Sequence, residues 1–275
     1  MMAELIDRKR LKAEMKDLLR TAQVSPKAMV ALYMALVAAL ELTSVLSGES
    51  GIVTTFISIF ASLLIVVLNS GFVLYCMAIR RGERAEFLTL FDGVSFSGKL
   101  IALNLLTQLF ISLWSMLFFF PGIVAAYRYR FALYNLYENP SIGVFEALEM
   151  SKRQTLGYKM QLFTLDMSYL GWLLLAAVPA ILQGTTLYQE TLPMTIAYVG
   201  GALATTSVFS LFAAMPGWAW ALITSLWSLV VSLFYVATYQ CTELGYFEIA
   251  KGTSGVGQGT SSQSWNNGPD HLGGF

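Results

Sequence analysis

Asp166 lies in the run Leu162-Phe163-Thr164-Leu165-Asp166-Met167-Ser168-Tyr169-Leu170-Gly171-Trp172, an ionisable carboxyl in otherwise apolar and aromatic surroundings. A carboxylate at membrane depth is costly, and it needs a cation, a proton or a set of hydrogen-bond donors. Arg128 and Arg130, on the arm that precedes it, are suitable cations, and Ser168 adds a hydroxyl. Two kinds of chemistry fit such a set. One is a charge pair that fixes helix packing; the other is a polar centre that handles a proton or a small substrate. Glu41, Asn69, Asn104, Gln108 and Glu243 also interrupt apolar runs. The amides suit hydrogen bonds between helices, about 0.6–2 kcal/mol each, and Glu41 is placed to reach the membrane interface.

Other chemistries lack their parts. There is no Gly-rich phosphate loop with its Lys, no His-Glu-x-x-His, no Gly-x-Ser-x-Gly elbow and no paired-Cys metal spacing. The one histidine, His271, is in the C-terminal tail, and the two cysteines, Cys76 and Cys241, are too few for a disulfide framework or a zinc site. An intramembrane aspartyl pair would need a second aspartate beside Asp166. No catalytic residue, metal or cofactor is therefore expected. An intramembrane enzyme acting on lipid is the weakest reading.

The elements that must hold these residues follow from composition. Of 275 residues 56% are hydrophobic and only 12% charged, too few charges to coat a soluble protein of this size. A net charge of zero offers nothing to a polyanion, so no nucleic-acid partner is expected. A bilayer core of about 30 Å takes about 20 helical residues. The apolar runs here are continuous, without the alternation of a barrel. They cover 26–46, 52–79, 100–120, 162–182, 194–215 and 218–249, which predicts an all-α bundle of about six spans. Residues 1–25 read as an N-terminal amphipathic helix, suited either to the membrane surface or to packing on the bundle, and 141–158 as a second. The transmembrane domain then covers 26–250, and 251–275 is a flexible polar tail. Ala197, Gly200, Gly201 and Ala204 on the fifth run have the spacing that lets helices approach closely.

Lys and Arg set the orientation. Residues 1–28 hold seven and 80–99 hold four, while 47–51 and 183–193 hold none, so the N-terminus is expected in the cytoplasm. The five bases of 126–160 would fall outside if 100–120 were a simple crossing. Pro121-Gly122 offers the repair: a helix-breaking pair at which the chain reverses, 122–138 returning as the second arm of a hairpin. That arm carries Arg128 and Arg130.

A pattern then becomes recognisable: Leu113-Trp114, Pro121-Gly122, Tyr127, Tyr129 and Tyr134, Glu138-Asn139-Pro140, Glu146-Ala147, Ser151, Gly157-Tyr158-Lys159, Phe163 to Ser168 and Gly171-Trp172. Arg10-Leu11-Lys12 and Ala237-Thr238-Tyr239 continue it. It resembles the bacterial integral-membrane family known as domain of unknown function 975, and it is distantly similar to the membrane domains attached to some glycerophosphodiester phosphodiesterases. Residues 184–217 are longer than that family's usual connection, and Tyr235-Val236 replaces a Pro-Tyr. The resemblance implies the bacterial plasma membrane and a multi-pass chain, without an activity. The reading that results is a non-enzymatic membrane protein, embedded in lipid, that handles a small molecule or lipid. The alternative is a scaffold or assembly partner of another membrane protein.

Overall fold

A computed structural model of the chain describes residues 5–46, 51–179 and 216–257. The expected fifth run with its small-residue patch, the connections at 47–50 and 183–193, and the tail from 258 onward with His271 lie outside the described residues. Helices make up the described fold: α1 (Arg8–Arg20), α2 (Pro26–Leu46), α3 (Ile52–Arg81), α4 (Ser97–Leu117), α5 (Phe119–Arg128), α6 (Ala132–Glu138), α7 (Val144–Gln154), α8 (Lys159–Met167), α9 (Leu170–Pro179) and α10 (Gly217–Ser254). A 3₁₀ segment, Phe87–Phe96, joins α3 to α4. No strand occurs among the described residues. Helices α2, α3, α4 and α10 are each long and apolar enough to cross a membrane, and α8 with α9 makes a fifth crossing if the bent pair is one span. The chain is thus an all-α polytopic bundle, with four or five crossings among the described residues against about six predicted.

Each boundary has a local cause. Pro26 opens α2, where its missing N–H leaves nothing unsatisfied. Helix α4 ends at Leu117, one turn before Pro121, because the proline ring of a continuing helix would strike the Leu117 carbonyl. The backbone is extended at Phe118 (φ −160°, ψ 152°), and Pro121 and Gly122 fall in the first turn of α5. The break therefore lies one turn ahead of the pair that the sequence marks as the hinge. Beyond it the chain folds back. A Cβ built on Gly122 would lie 3.0 Å from the Ser115 Cα, whereas seven residues of straight helix span about 10 Å. The Phe110 and Tyr129 rings stack at 5.7 Å, where one continuous helix would hold them about 28 Å apart. Helix α7 is shorter than the expected 141–158, because Asn139 Oδ1 accepts from the Ser141 N–H (3.3 Å) in an Asx turn ahead of it.

The described chain forms two compact units. Among the described residues, one comprises 8–46, 51–101, 164–179 and 216–243, and the other 5–7, 102–163 and 244–257. In the first, α2 packs along α3, and the 3₁₀ segment lies against α3. The contact at Gly71 is backbone on backbone: a Cβ there would fall 2.6 Å from the Leu90 Cα and closer still to its carbonyl. Leu90 is fully buried, while Phe87, Leu88, Phe91 and Val94 face outward. In the second unit α6 packs on α7, with Ala132, Tyr134, Asn135, Leu136 and Tyr137 all buried.

Burial changes along the long helices. The first part of α3 exposes Ile52, Val53, Phe56, Ile59 and Phe60, and the second buries Val67 to Ile79 on its inner side. Helix α10 exposes Trp218, Leu222, Leu226, Trp227, Val230 and Phe234, then buries Cys241, Thr242, Leu244, Tyr246, Phe247 and Ala250. Its 38 residues make a rod of about 57 Å, nearly twice the hydrocarbon thickness.

The Gly71 contact is testable. Gly71→Ala places a methyl group against backbone that cannot rotate away, and should cost about 1–3 kcal/mol, read as a lower melting temperature of the detergent-solubilised chain. Gly98→Ala on α4, with nothing within 4 Å of the added carbon, should be neutral or slightly stabilising. Equal melting temperatures for the two variants would refute the close approach.

Candidate functional site

Helices α8 and α9 meet at a 50° bend, centred on the expected Asp166 and Ser168. The last turn of α8 tightens: the Ser168 N–H reaches both the Thr164 carbonyl (3.2 Å) and the Leu165 carbonyl (3.0 Å), and the Tyr169 N–H bonds the Asp166 carbonyl at 2.9 Å. Ser168 Oγ donates to the Leu165 carbonyl at 2.5 Å. The C-terminus of a helix carries partial negative charge on its last carbonyls and favours cations. Two cations are there, both from α1. Arg8 Nη1 donates to the Thr164 carbonyl at 2.8 Å, and Lys12 Nζ donates to Ser168 Oγ at 2.6 Å.

The sequence of α1 explains why it presents them. Leu11, Met15 and Leu19, four residues apart, form one stripe and are buried. Arg8 and Lys12 share a spacing of four beside that stripe, so the packing that buries the leucines also carries both cations to the end of α8. The sequence leaves either the membrane surface or the bundle open for this helix; within the chain it packs on α3. Burial, and after it the charge of Arg8, lower the pKa of the Lys12 ammonium below its ordinary value.

Asp166 is half-buried, and its Oδ1 accepts from Tyr239 Oη of α10 at 2.9 Å. The Tyr239 ring meets Tyr169 edge-on (5.1 Å, 81°), and Lys12 Nζ lies 3.8 Å from the centre of the Tyr169 ring. Tyr235, one turn earlier on α10, lies 6.3 Å from Tyr169 and stacks on Trp172 at 6.1 Å. Carboxylate, phenol, aromatic face, ammonium and serine hydroxyl thus form one connected cluster within the first unit. Lys12, Arg8 and Tyr239 were not singled out as site residues in the sequence. The segments of Lys12 and Tyr239, Arg10-Leu11-Lys12 and Ala237-Thr238-Tyr239, stood out only as parts of a family pattern.

Arg128, Arg130, Pro121 and Gly122 belong to the second unit. Arg128 ends α5, and its carbonyl accepts from Ser151 Oγ (2.8 Å) and Thr155 Oγ1 (3.3 Å). Arg130 lies over the Tyr127 ring at 5.4 Å. Nearby, Asn135 and Gln154 are buried and exchange two amide hydrogen bonds of 2.8 Å, while Gln154 Nε2 also donates to the Val256 carbonyl at 3.1 Å. Lys251 pairs with Glu138 at 2.5 Å, Tyr158 Oη donates to Thr253 Oγ1 at 3.0 Å, and Phe247 packs against Phe131 and Tyr134. On α7, Glu149 contacts Lys152 (2.7 Å) and Arg153 (3.6 Å); these cations lower its pKa, the Lys152 hydrogen bond first. Of the remaining polar candidates, Asn69, Asn104, Gln108 and Glu41 are exposed and Glu243 is buried. No group of three metal-ligating side chains occurs among the described residues.

Among the described residues, the fold has four helices long and apolar enough to cross a membrane, and a bent helix pair whose break is lined by polar side chains. Residues 120–251 match the family Protein of unknown function (DUF975). No curated protein and no solved structure matches the chain.

Two measurements check these contacts. A double-mutant cycle of Asp166→Ala and Tyr239→Phe should give a coupling of about 0.5–2 kcal/mol in unfolding free energy, whereas zero coupling would mean that the hydrogen bond does not hold the two helices. Gln154→Leu strands both the Asn135 amide and the Val256 carbonyl, and should cost about 1–3 kcal/mol. Adding Asn135→Leu should recover part of that loss, and purely additive losses would argue against the reciprocal pair.

Proposed function

We propose that this chain is a non-enzymatic membrane protein that binds a small molecule or a lipid at the break between α8 and α9, with Asp166 and Ser168 at the polar centre. The observation that carries the reading is the cluster at the break, where a carboxylate and a hydroxyl of a bent helix meet two cations of α1. Interrupted membrane helices expose backbone carbonyls and side chains to a ligand, and they persist only inside protein or along a wet cavity. Arg128 and Arg130, the cations that the sequence offers to Asp166, belong to the second unit. The distribution of Lys and Arg supports a cytoplasmic N-terminus, and the family resemblance supports the bacterial plasma membrane.

A scaffolding role is the second reading. Phe145 on α7, 70% exposed beside the Glu149, Lys152 and Arg153 cluster, favours it as a docking point for another membrane protein. The apolar stripe of α1 is already used within the chain.

The two readings separate in liposomes carrying the full chain and a fluorescent phosphatidylethanolamine. The first expects faster lipid movement between leaflets or a proton flux with wild type, reduced about tenfold or more by Asp166→Asn at equal reconstitution. Asp166→Asn indistinguishable from wild type would overturn the site. No movement, together with recovery of a stoichiometric partner from membranes, would favour the scaffold.

A further inference from the structure

The ammonium of Lys12 is held by two acceptors of different kinds. Its Nζ donates to Ser168 Oγ at 2.6 Å and lies 3.8 Å from the centre of the Tyr169 ring, well inside the range in which an aromatic face attracts a cation. That ring is fixed in turn. Tyr239 meets it edge-on at 5.1 Å, Tyr235 lies 6.3 Å away, and the Tyr239 hydroxyl is tied to the Asp166 carboxylate at 2.9 Å. An ammonium at this place meets a hydroxyl oxygen, a π face and, beyond a second ring, the negative charge of a carboxylate. These groups come from α8, from the two residues that join it to α9, and from α10. Only the cation comes from elsewhere, on a helix that docks through Leu11, Met15, Leu19 and Arg8.

Nothing in the arrangement requires a lysine. Hydroxyl, ring face and carboxylate are also the groups that recognise amine and quaternary ammonium ligands. We infer that Ser168, Tyr169, Tyr239 and Asp166 form a binding site for an organic ammonium group, and that Lys12 fills it from α1 as a tethered competitor. The inference rests on the proposed role of the α8–α9 break and names the chemical class of its ligand. A group tethered to the same chain acts at a local concentration in the millimolar range or above, so an external ammonium has to displace a strong rival. Burial and Arg8 weaken the protonated form of Lys12. A quaternary ammonium has no proton to lose, and it keeps its charge where the lysine is least favoured.

The experiment removes the tethered rival. Tetramethylammonium chloride is titrated calorimetrically into the detergent-solubilised full chain, with sodium chloride as control. Lys12→Ala should bind tetramethylammonium on the order of tenfold more tightly than wild type. Adding Tyr169→Leu should abolish the gain, and adding Tyr169→Phe, which keeps the ring face, should preserve it and show that the fold survives change at this position. A second arm distinguishes the source of the ammonium. If it belongs to a lipid, Lys12→Ala in nanodiscs retains phosphocholine lipid over phosphoglycerol lipid in native mass spectrometry; equal retention with tetramethylammonium binding intact assigns the site to a solute. The site is refuted if Lys12→Ala gains nothing, or if Tyr169→Leu leaves the gain in place. Should that happen while Asp166→Asn still slows lipid movement, the ammonium site falls and the proposed function stands. Ammonium binding that is gained while Asp166→Asn leaves movement untouched keeps the site and removes the transport role.

Discussion

Backbone amides and carbonyls in hydrocarbon have to find their hydrogen bonds within the protein, so a helix that breaks there must bring other polar atoms to the break. Two interruptions in this chain meet that constraint differently. At Phe118 the extended residue is flanked by helices that resume at once, and Gly122 lets the return arm press against Ser115. At Ser168 the helix end is satisfied from outside itself, by the serine hydroxyl, by Arg8 and, through the serine, by Lys12. A strongly basic helix is thereby bound to an apolar bundle. Its cations cost less beside the negative end of α8 than they would against lipid.

The same constraint divides the long helices. The large side chains that face outward on the first part of α3 and on α10 up to Phe234 are aliphatic or aromatic, whereas the later parts pack against polar partners such as Arg80, whose Nη1 donates to the Cys241 carbonyl at 3.3 Å. Tyr75 donates to the Val24 carbonyl at 2.9 Å and ties α3 to the chain just ahead of α2. A lipid-facing part and a protein-packed part therefore coexist on single helices, which is why span length alone overstates how much of each helix meets the bilayer.

Much of this was legible in the sequence. Run length and hydropathy locate α2, α3, α4 and α10, because a lipid environment leaves the backbone few alternatives. The reversal after α4 was readable from Pro121 and from the placement of basic residues, but its position was not, since a proline acts on the carbonyl four residues earlier and the break falls at Phe118. The 3₁₀ segment went unseen. It lies in the 80–99 connection, which the sequence marks only by the basic residues that flank the segment, and only the Gly71–Leu90 approach shows what holds it. At the site, Asp166 and Ser168 were visible as polar residues in apolar runs. Lys12 and Tyr239 were not, because a lysine on an amphipathic helix and a tyrosine near an interface are ordinary until tertiary packing brings them to the same ring.

The way α6 and α7 are completed bears on how the protein is made. Their buried amide pair, the Glu138 carboxylate and the Phe131–Tyr134 aromatic pair all find partners on the far end of α10 or just beyond it, at Phe247, Lys251 and Val256. During synthesis these groups emerge from the ribosome more than a hundred residues before the segment that covers them. This unit therefore cannot close until α10 has been made, and the insertion machinery must hold a half-assembled chain with polar amides and aromatic rings uncovered until that helix arrives.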